Sequence, residues 1–309
     1  MRRRLALGAV VVAAVVGVLV WGMFPGSGSH PGSNLAGSAH STSPDVTVSP
    51  DGTASASPST SPQQTPYVQA PAVPDVTKMH LKFNATFTGS ALNHSVWNTC
   101  FPWISDQANG CTNYGDGEAE WYLPSQVRVS NGALHLVAEP IATPGRTQAG
   151  ASETFNCRSG MVTSYPSFSF QYGYIQVVAQ ASAGPDLWSA LWLAASNLKW
   201  PPEIDMIENW APPSNSAGMY FHPVGAEPDA MHLPPPDVLT SGWHVYSLEW
   251  TPSELIWFLD GQEYMAVHQY IPQQPMYFLA NLARYTNKGA DNAPCNGVLN
   301  IQSVKVWQS

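Results

Sequence analysis

The chain has 309 residues and a formal charge of -9, with 12 Lys+Arg against 21 Asp+Glu and only 11% charged residues. An average soluble domain carries about 25%, so the composition excludes a coiled coil, a basic nucleic-acid binder and a highly charged disordered chain. Three of the basic residues are Arg2, Arg3 and Arg4, so the remainder is more acidic still and repels phosphate backbones and sulfated polymers. The expected partner is neutral, and 12 Trp point to something flat that stacks on aromatic faces.

Arg2–Arg4 precede a 20-residue run from Leu5 to Phe24 that is apolar apart from its glycines. A basic start followed by an apolar stretch reads as a signal peptide or a retained signal anchor over residues 1–24. The run exceeds the ~7–15 apolar residues of a signal core and matches the ~20 that span a bilayer. Gly26, Ser27 and Gly28 nevertheless offer small residues for cleavage, so both readings stay open. Either way the rest of the chain is exported, secreted or tethered to the outer face of the cytoplasmic membrane, with membrane contact through this segment alone.

From Pro25 to Pro66, 28 of 42 residues are Ser, Thr, Pro or Gly and none is aromatic. Such a stretch buries too little apolar surface to offset its ordering entropy. Residues 25–77 therefore read as a disordered tether. Eleven of the twelve Trp lie beyond it, and residues 78–309 are enough for one substantial core, expected as a monomer. All four cysteines, Cys100, Cys111, Cys157 and Cys295, fall in that unit. An even number in an exported chain implies two disulfides. Cys100–Cys111 closes a short loop containing Gly and Asn, which leaves Cys157–Cys295; free buried thiols are the alternative. No C-x-x-C appears, so a zinc ribbon or a thioredoxin-type site is not expected.

Alternation then dominates. Val127 and Val129, the turn Asn131-Gly132, then Leu134 and Leu136 predict a hairpin. Phe168, Phe170, Tyr172 and Tyr174 predict one side of the next strand. Trp243–Trp250 and Leu255–Leu259 follow, the latter ending at a second turn signal, Asp260-Gly261, with a return strand from Tyr264. Pro275–Ala283 and Val298–Trp307 complete the set. No 3.6-residue periodicity holds over 12 residues after Phe24. The fold expected is all-β, a sandwich of two antiparallel sheets.

The sharpest feature is Trp200-Pro201-Pro202-Glu203-Ile204-Asp205-Met206-Ile207-Glu208. On a regular strand Glu203 and Asp205 share a face and Glu208 points to the other. One β-bulge between Asp205 and Glu208 returns Glu208 to their side. The two glutamates then lie roughly 13 Å apart at Cα, at ~3.3 Å per step. Side chains leaning together shorten that to the ~5–5.5 Å between the carboxyl groups of a retaining glycosidase. Three carboxylates on one face repel one another and raise at least one pKa, as a general acid at neutral pH requires. The competing reading is a solvated edge strand that buries Ile204, Met206 and Ile207.

W-P-P-E-I-D-x-x-E resembles the bulged signature of glycoside hydrolase family 16, in its laminarinase-like endo-β-1,3-glucanase branch. Tyr172-Gly173-Tyr174, Trp188-Ser189-Ala190-Leu191-Trp192, Trp243-His244-x-Tyr246-x-x-Glu249-Trp250, Phe258-x-Asp260-Gly261, Pro275-Met276-Tyr277-x-x-x-Asn281-Leu282-Ala283 and Val304-Lys305-Val306-Trp307 resemble its other strands in order. The resemblance covers nearly all of Leu81–Gln308. It implies a concanavalin A-like jelly roll that cleaves β-linked glucans or galactans with retention. By position, Glu203 resembles the nucleophile, Glu208 the acid/base and Asp205 the carboxylate that orients Glu203. The pattern departs at three places: Ser189 stands for Pro, Asp116 for Asn in Gly115-Asp116-Gly117-Glu118, and Val177 and Val178 occupy the region of a common Arg. A structural calcium in the family would fall near Asn84 and Gln302, which are weak, uncharged ligands. No cofactor is therefore expected.

For sugar binding the candidates are Trp188, Trp200, Glu118 and His222, with Trp97, Trp103 and Trp121 extending the cleft. Trp192, Trp250, Trp257 and Trp307 are expected in the core. No H-x-H or H-x-x-x-H spacing indicates a catalytic metal. With few Lys and Arg for a sulfated chain, the substrate expected is a neutral β-1,3- or β-1,3/1,4-glucan. The alternatives are a neutral β-galactan, transglycosylation, a glucan-binding lectin and a structural domain on a stalk.

Overall fold

The computed structural model describes residues 73–104, 110–113, 118–147, 149–210, 216–232, 237–285 and 295–309. The expected signal or anchor, and the tether as far as residue 72, lie outside the described residues. No helix among the described residues is long and apolar enough to cross a membrane. The α-helix there is the short Asp237–Thr240, and two single 3-10 turns, Val76–Lys78 and Pro124–Gln126, precede strands.

Two antiparallel sheets form the body. The six-stranded sheet runs Asp229–His232, Ser216–His222, Glu203–Trp210, Leu187–Ala195, Met276–Arg284 and Met161–Thr163 in that order. The eight-stranded sheet runs Gln262–Val267, Leu255–Leu259, His244–Trp250, Gly173–Gln180, Gly297–Gln308, Ala133–Ala138 and Val127–Ser130; His80–Thr86 also pairs with Gly297–Gln308. Residues 297–301 of that long strand pair with Ala133–Ala138, and residues 303–308 pair with His80–Thr86. Both predicted hairpins form. Asn131 and Gly132 have φ of 51° and 76°, Asp260 and Gly261 of 51° and 81°, the positive values a two-residue type I′ turn needs.

The core lies between the sheets. Leu191, Leu193, Ile204 and Phe221 of the six-stranded sheet share one cluster with Ile175, Leu248, Trp250, Trp257 and Val304 of the other. Trp250 and Trp257 are 1% and 0% exposed, and Trp307 is half-buried against Tyr174. Trp97 belongs to this core, 2% exposed among Phe83, Phe87 and Phe278, and not to a cleft. Both disulfides form, Cys100–Cys111 and Cys157–Cys295, with Cα separations of 5.9 and 5.7 Å.

The predicted strand through Phe168–Tyr174 is corrected: the strand begins only at Gly173. Tyr172 has φ 60° and Gly173 φ 135°, which breaks the extended path. A Cβ on Gly173 would stand 2.3 Å from the Trp307 carbonyl oxygen, so the crossing needs glycine. Phe170 and Tyr172 instead pack edge-on against Trp250, at 5.7 and 5.4 Å.

Candidate active site

The acidic strand Glu203–Trp210 lies inside the six-stranded sheet. Its neighbours pair Glu203 with Ala194 and His222, Asp205 with Trp192 and Tyr220, and Glu208 with Ala190 and Gly218. Between Asp205 and Glu208 the register slips by one residue against both neighbours. The bulge therefore sits where the E-x-D-x-x-E spacing puts it. Met206 and Ile207, both at most 2% exposed, turn into the core where a regular strand would send one side chain. Glu203, Asp205 and Glu208 are left together on the opposite, outer face.

A bulge interrupts the ladder and leaves backbone groups to satisfy. The Trp257 indole N–H, from the facing sheet, donates to the Asp205 carbonyl oxygen at 2.9 Å. A core tryptophan thus holds the backbone under the site from behind.

The three carboxyl groups occupy different environments. Glu203 keeps a side chain 21% exposed, and the Trp200 indole N–H donates to its Oε2 at 3.1 Å. Asp205 is 2% exposed. The His222 Nε2 stands 3.3 Å from Asp205 Oδ2 and 3.9 Å from Glu203 Oε1. Burial raises the Asp205 pKa, and the His222 contact offsets part of the rise. Glu208, half-buried, is raised well above the ordinary carboxyl range, first by burial and then by the charge of Asp205. Burial thus exceeds the mutual repulsion that the sequence alone offers as the cause. Tyr220 is pushed up to about 12 by burial and by the charges of Glu208 and Asp205. Gly218 makes room for it: a Cβ there would meet the Tyr220 hydroxyl at 2.5 Å. Nothing in the spacing marks Tyr220 as part of the site.

The aromatic candidates divide. Trp200 is 68% exposed beside His222, at 6.0 Å between rings. Trp188 is half-buried, stacked on Trp210 at 3.9 Å and 17°. Its indole N–H has no hydrogen-bond partner of good geometry, yet lies near enough to Glu208 to offset part of the rise in pKa. Trp192 is the main correction. It is half-buried on the outer face, paired with Asp205, because alternation from the core residues Leu191 and Leu193 sends it outward. Trp103, 39% exposed, lies 6.2 Å from the Trp192 ring. A cavity of about 870 Å³ is lined by Trp103, Trp121, Arg146 and Glu153 among others. Trp121, 6% exposed, contributes a wall there and not an open platform.

Glu118 is not on the open surface. It is 5% exposed and accepts from the Tyr122 hydroxyl at 2.9 Å. That hydroxyl accepts from Asn281 Nδ2 at 3.1 Å, and Asn281 Oδ1 accepts from Trp192 Nε1 at 2.8 Å. Glu120, 0% exposed, hydrogen-bonds the Glu118 carboxyl and accepts the Arg284 backbone N–H at 2.6 Å. Burial raises the Glu120 pKa, and the hydrogen bonds with Glu118, the Arg284 backbone and Tyr122 offset part of the rise. Sequence reasoning missed Glu120, Tyr122 and Asn281 as members of a network; the signal available was the E-x-E spacing of Glu118 and Glu120.

The model of Glycosyl hydrolases family 16 matches residues 120–294, more than half of the chain. The chain belongs to that family. It is 29% identical over 223 residues to the endo-1,3-1,4-beta-glycanase ExsH of Rhizobium meliloti, covering 68% of this chain and 46% of that one. Its similarity to EglC of the same organism, also an endo-1,3-1,4-beta-glycanase, is 29% over 226 residues with the same shares of 68% and 46%. The chain therefore spans about half the length of these curated relatives. The catalytic domain of a laminarinase from Thermotoga maritima shares the fold, with a TM-score of 0.61, 24% identity, and cover of 75% of this chain and 98% of that one.

Against the family pattern, Ser189 occupies a buried position where its Oγ accepts the Ser182 backbone N–H at 3.0 Å, a bond proline cannot supply. Val177, in the region of the missing Arg, is 0% exposed in the core. Asp116 lies outside the described residues. A family calcium does not fit Asn84 and Gln302. Asn84 pairs across the strands with Lys305, a cation, and Gln302 falls in the register slip between Ile301 and Ser303, so the position offers neutral amides and no carboxylate.

Proposed function

We propose that the protein is a retaining endo-glycoside hydrolase that cleaves a neutral β-1,3- or β-1,3/1,4-glucan. The observation that carries the reading is the bulge. It presents Glu203, Asp205 and Glu208 on one outer face, with the Glu208 pKa raised well above the ordinary carboxyl value by burial and the Asp205 charge, the direction a proton donor needs. In the first step Glu208 gives its proton to the glycosidic oxygen while the Glu203 carboxylate attacks the anomeric carbon. The C–O bond to the leaving sugar breaks and a glycosyl ester forms. In the second, the Glu208 carboxylate takes a proton from water, the water oxygen attacks the same carbon, and Glu203 leaves. Trp200 fixes one oxygen of Glu203. Asp205, backed by Trp257, holds the strand and the local charge.

The aromatic planes of Trp200, Trp192 and Trp103 and the net acidic chain support an uncharged sugar polymer. The names of two further relatives, a glucan endo-1,3-beta-glucosidase of Niallia circulans and a beta-glucanase of Rhodothermus marinus, favour glucan over galactan. Two disulfides and the N-terminal apolar run support action outside the cytoplasm, with the enzyme secreted or tethered.

The test is a product profile on laminarin, lichenan, agarose and galactan, followed by proton NMR of the first product. Oligosaccharides from laminarin or lichenan with the β-anomer appearing first are expected. An α-anomer first would mean direct attack by water and carboxyl groups ~6.5–9.5 Å apart, and would overturn the assignment of Glu203. Cleavage of agarose or galactan alone would overturn the substrate. Binding to every glucan without cleavage would leave a lectin.

A further inference from the structure

Two neighbouring strands build a second kind of site on the same residues. Glu203 and Asp205 share a face at i, i+2, and His222 is the cross-strand partner of Glu203. Their ligand atoms, one from each side chain, all lie within 4.8 Å of one another. His222 Nε2 is 3.3 Å from Asp205 Oδ2 and 3.9 Å from Glu203 Oε1. A tetrahedral zinc ion with bonds of 2.0–2.2 Å has ligand–ligand edges of about 3.3–3.6 Å, so the His222–Asp205 edge already fits, the His222–Glu203 edge closes with a few tenths of an ångström of side-chain motion, and the Glu203–Asp205 edge, within 4.8 Å, closes by at most about 1.5 Å. Asp205 is the independent sign of a ligand. It is 2% exposed, its Oδ2 makes no hydrogen bond of good geometry, and that oxygen is the one turned to His222.

We propose that Glu203, Asp205 and His222 form a binding site for one transition-metal dication, Zn²⁺ or Cu²⁺, whose occupancy reversibly blocks catalysis. One imidazole with two carboxylates suits these ions better than Mg²⁺ or Ca²⁺, which want six or more oxygen ligands. Trp200 is the outer partner: its N–H holds Glu203 Oε2 and so orients Oε1 toward His222. Three protein ligands leave a fourth position open to water or a sugar hydroxyl. The bound ion ties up the Glu203 oxygen that has to attack the anomeric carbon. The inhibition rests on Glu203 being the nucleophile; the binding does not.

The experiment is calorimetric titration of the full chain, first stripped with a chelator, with Zn²⁺ and separately with Ca²⁺. Wild type is expected to take up one Zn²⁺ that His222→Ala and His222→Gln each lose or bind at least ~10–100-fold more weakly, since even outer partners of a metal ligand are worth that much. Both variants are first checked for a wild-type melting curve; the glutamine variant keeps the side-chain volume should the alanine variant unfold. Ca²⁺ is expected to give no such site. In parallel, glucan cleavage by wild type falls in step with zinc occupancy and returns on adding chelator. A zinc isotherm identical in wild type and both His222 variants, or no uptake by wild type, overturns the site. Zinc uptake that depends on His222 while cleavage continues at full occupancy keeps the site and refutes Glu203 as the nucleophile.

Discussion

Two acidic pairs in this molecule have the same i, i+2 spacing and opposite fates. Glu203 and Asp205 stand on the outer face of the six-stranded sheet, followed by a bulge that adds Glu208. Glu118 and Glu120 are 5% and 0% exposed, bonded to each other and closed off by Tyr122, Asn281 and the Arg284 backbone. The same spacing brings two carboxyl groups together on a strand in one place and ahead of a strand in the other; what surrounds them decides whether they react or brace. The outer set keeps Glu203 partly solvated and leaves Asp205 Oδ2 facing only His222, at 3.3 Å. The inner set spends most of its polar atoms on a relay that ends on Trp192 in the cleft wall.

The largest effect that separates the two is catalytic. Glu208→Gln is expected to lower cleavage by roughly 10²–10⁴, the range for a general acid–base group, and Glu203→Gln by at least as much because no ester can form. Neither change removes a core contact, so both variants stay folded. Wild-type turnover in either folded variant, measured by reducing-sugar release, would leave the outer pair no more reactive than the inner one.

How much of this was legible in the sequence follows the range of the interaction. E-I-D-M-I-E exposes the bulge because its alternation fails by one residue, and Asn131-Gly132 and Asp260-Gly261 expose the hairpins because only a few residues accept positive φ. The Tyr172–Gly173 break was hidden, since the aromatic alternation across it continues without a gap. Trp192 reads as core in an apolar run, and only the core positions of Leu191 and Leu193 reveal its side. The bond from Trp257 to Asp205 spans 52 residues, and that from Asn281 to Tyr122 spans 159. No local pattern encodes either.

Trp257 gives a sharper cut, because it supports the outer set from within the core. Trp257→Phe keeps most of the apolar contact and removes the donor to the Asp205 carbonyl. A buried acceptor left without its partner costs about 1–3 kcal/mol. Stability, read by denaturant midpoint, should fall by that amount, and kcat should fall with it because the bulge loses its anchor. A stability loss with unchanged kcat would mean the bulge holds its own shape.

The inner pair predicts a different outcome, smaller in its effect on kcat. Tyr122→Phe removes the hydroxyl that joins Glu118 to Asn281. The expected loss is at least about 1–3 kcal/mol, because the buried Glu118 carboxyl and Asn281 amide are left without that partner. KM should rise through the slackened Trp192, while kcat on the bound substrate changes little. A kcat loss as large as that of Glu208→Gln would make the inner pair part of the chemistry.

The smallest effect is a difference in pH dependence, and its sign follows from Glu208. The folded-state pKa of this carboxyl lies well above the ordinary value. The folded protein therefore holds the proton more tightly than the unfolded chain. That preference contributes stability below the unfolded pKa of about 4.3 and is lost as pH rises through the folded value. Glu208→Gln cannot ionise, so it escapes the loss. Wild type and variant should melt at similar temperatures in acid, and the variant should gain relative to wild type as pH climbs toward 8. Glu120, also raised by burial, keeps titrating in both proteins and cancels in the comparison, while the coupling of Asp205 to Glu208 is part of the difference measured. A difference in melting temperature that stays flat from pH 4 to pH 8 would mean that Glu208 titrates as an ordinary surface carboxyl, and the proton donor of the outer set would have to be sought elsewhere.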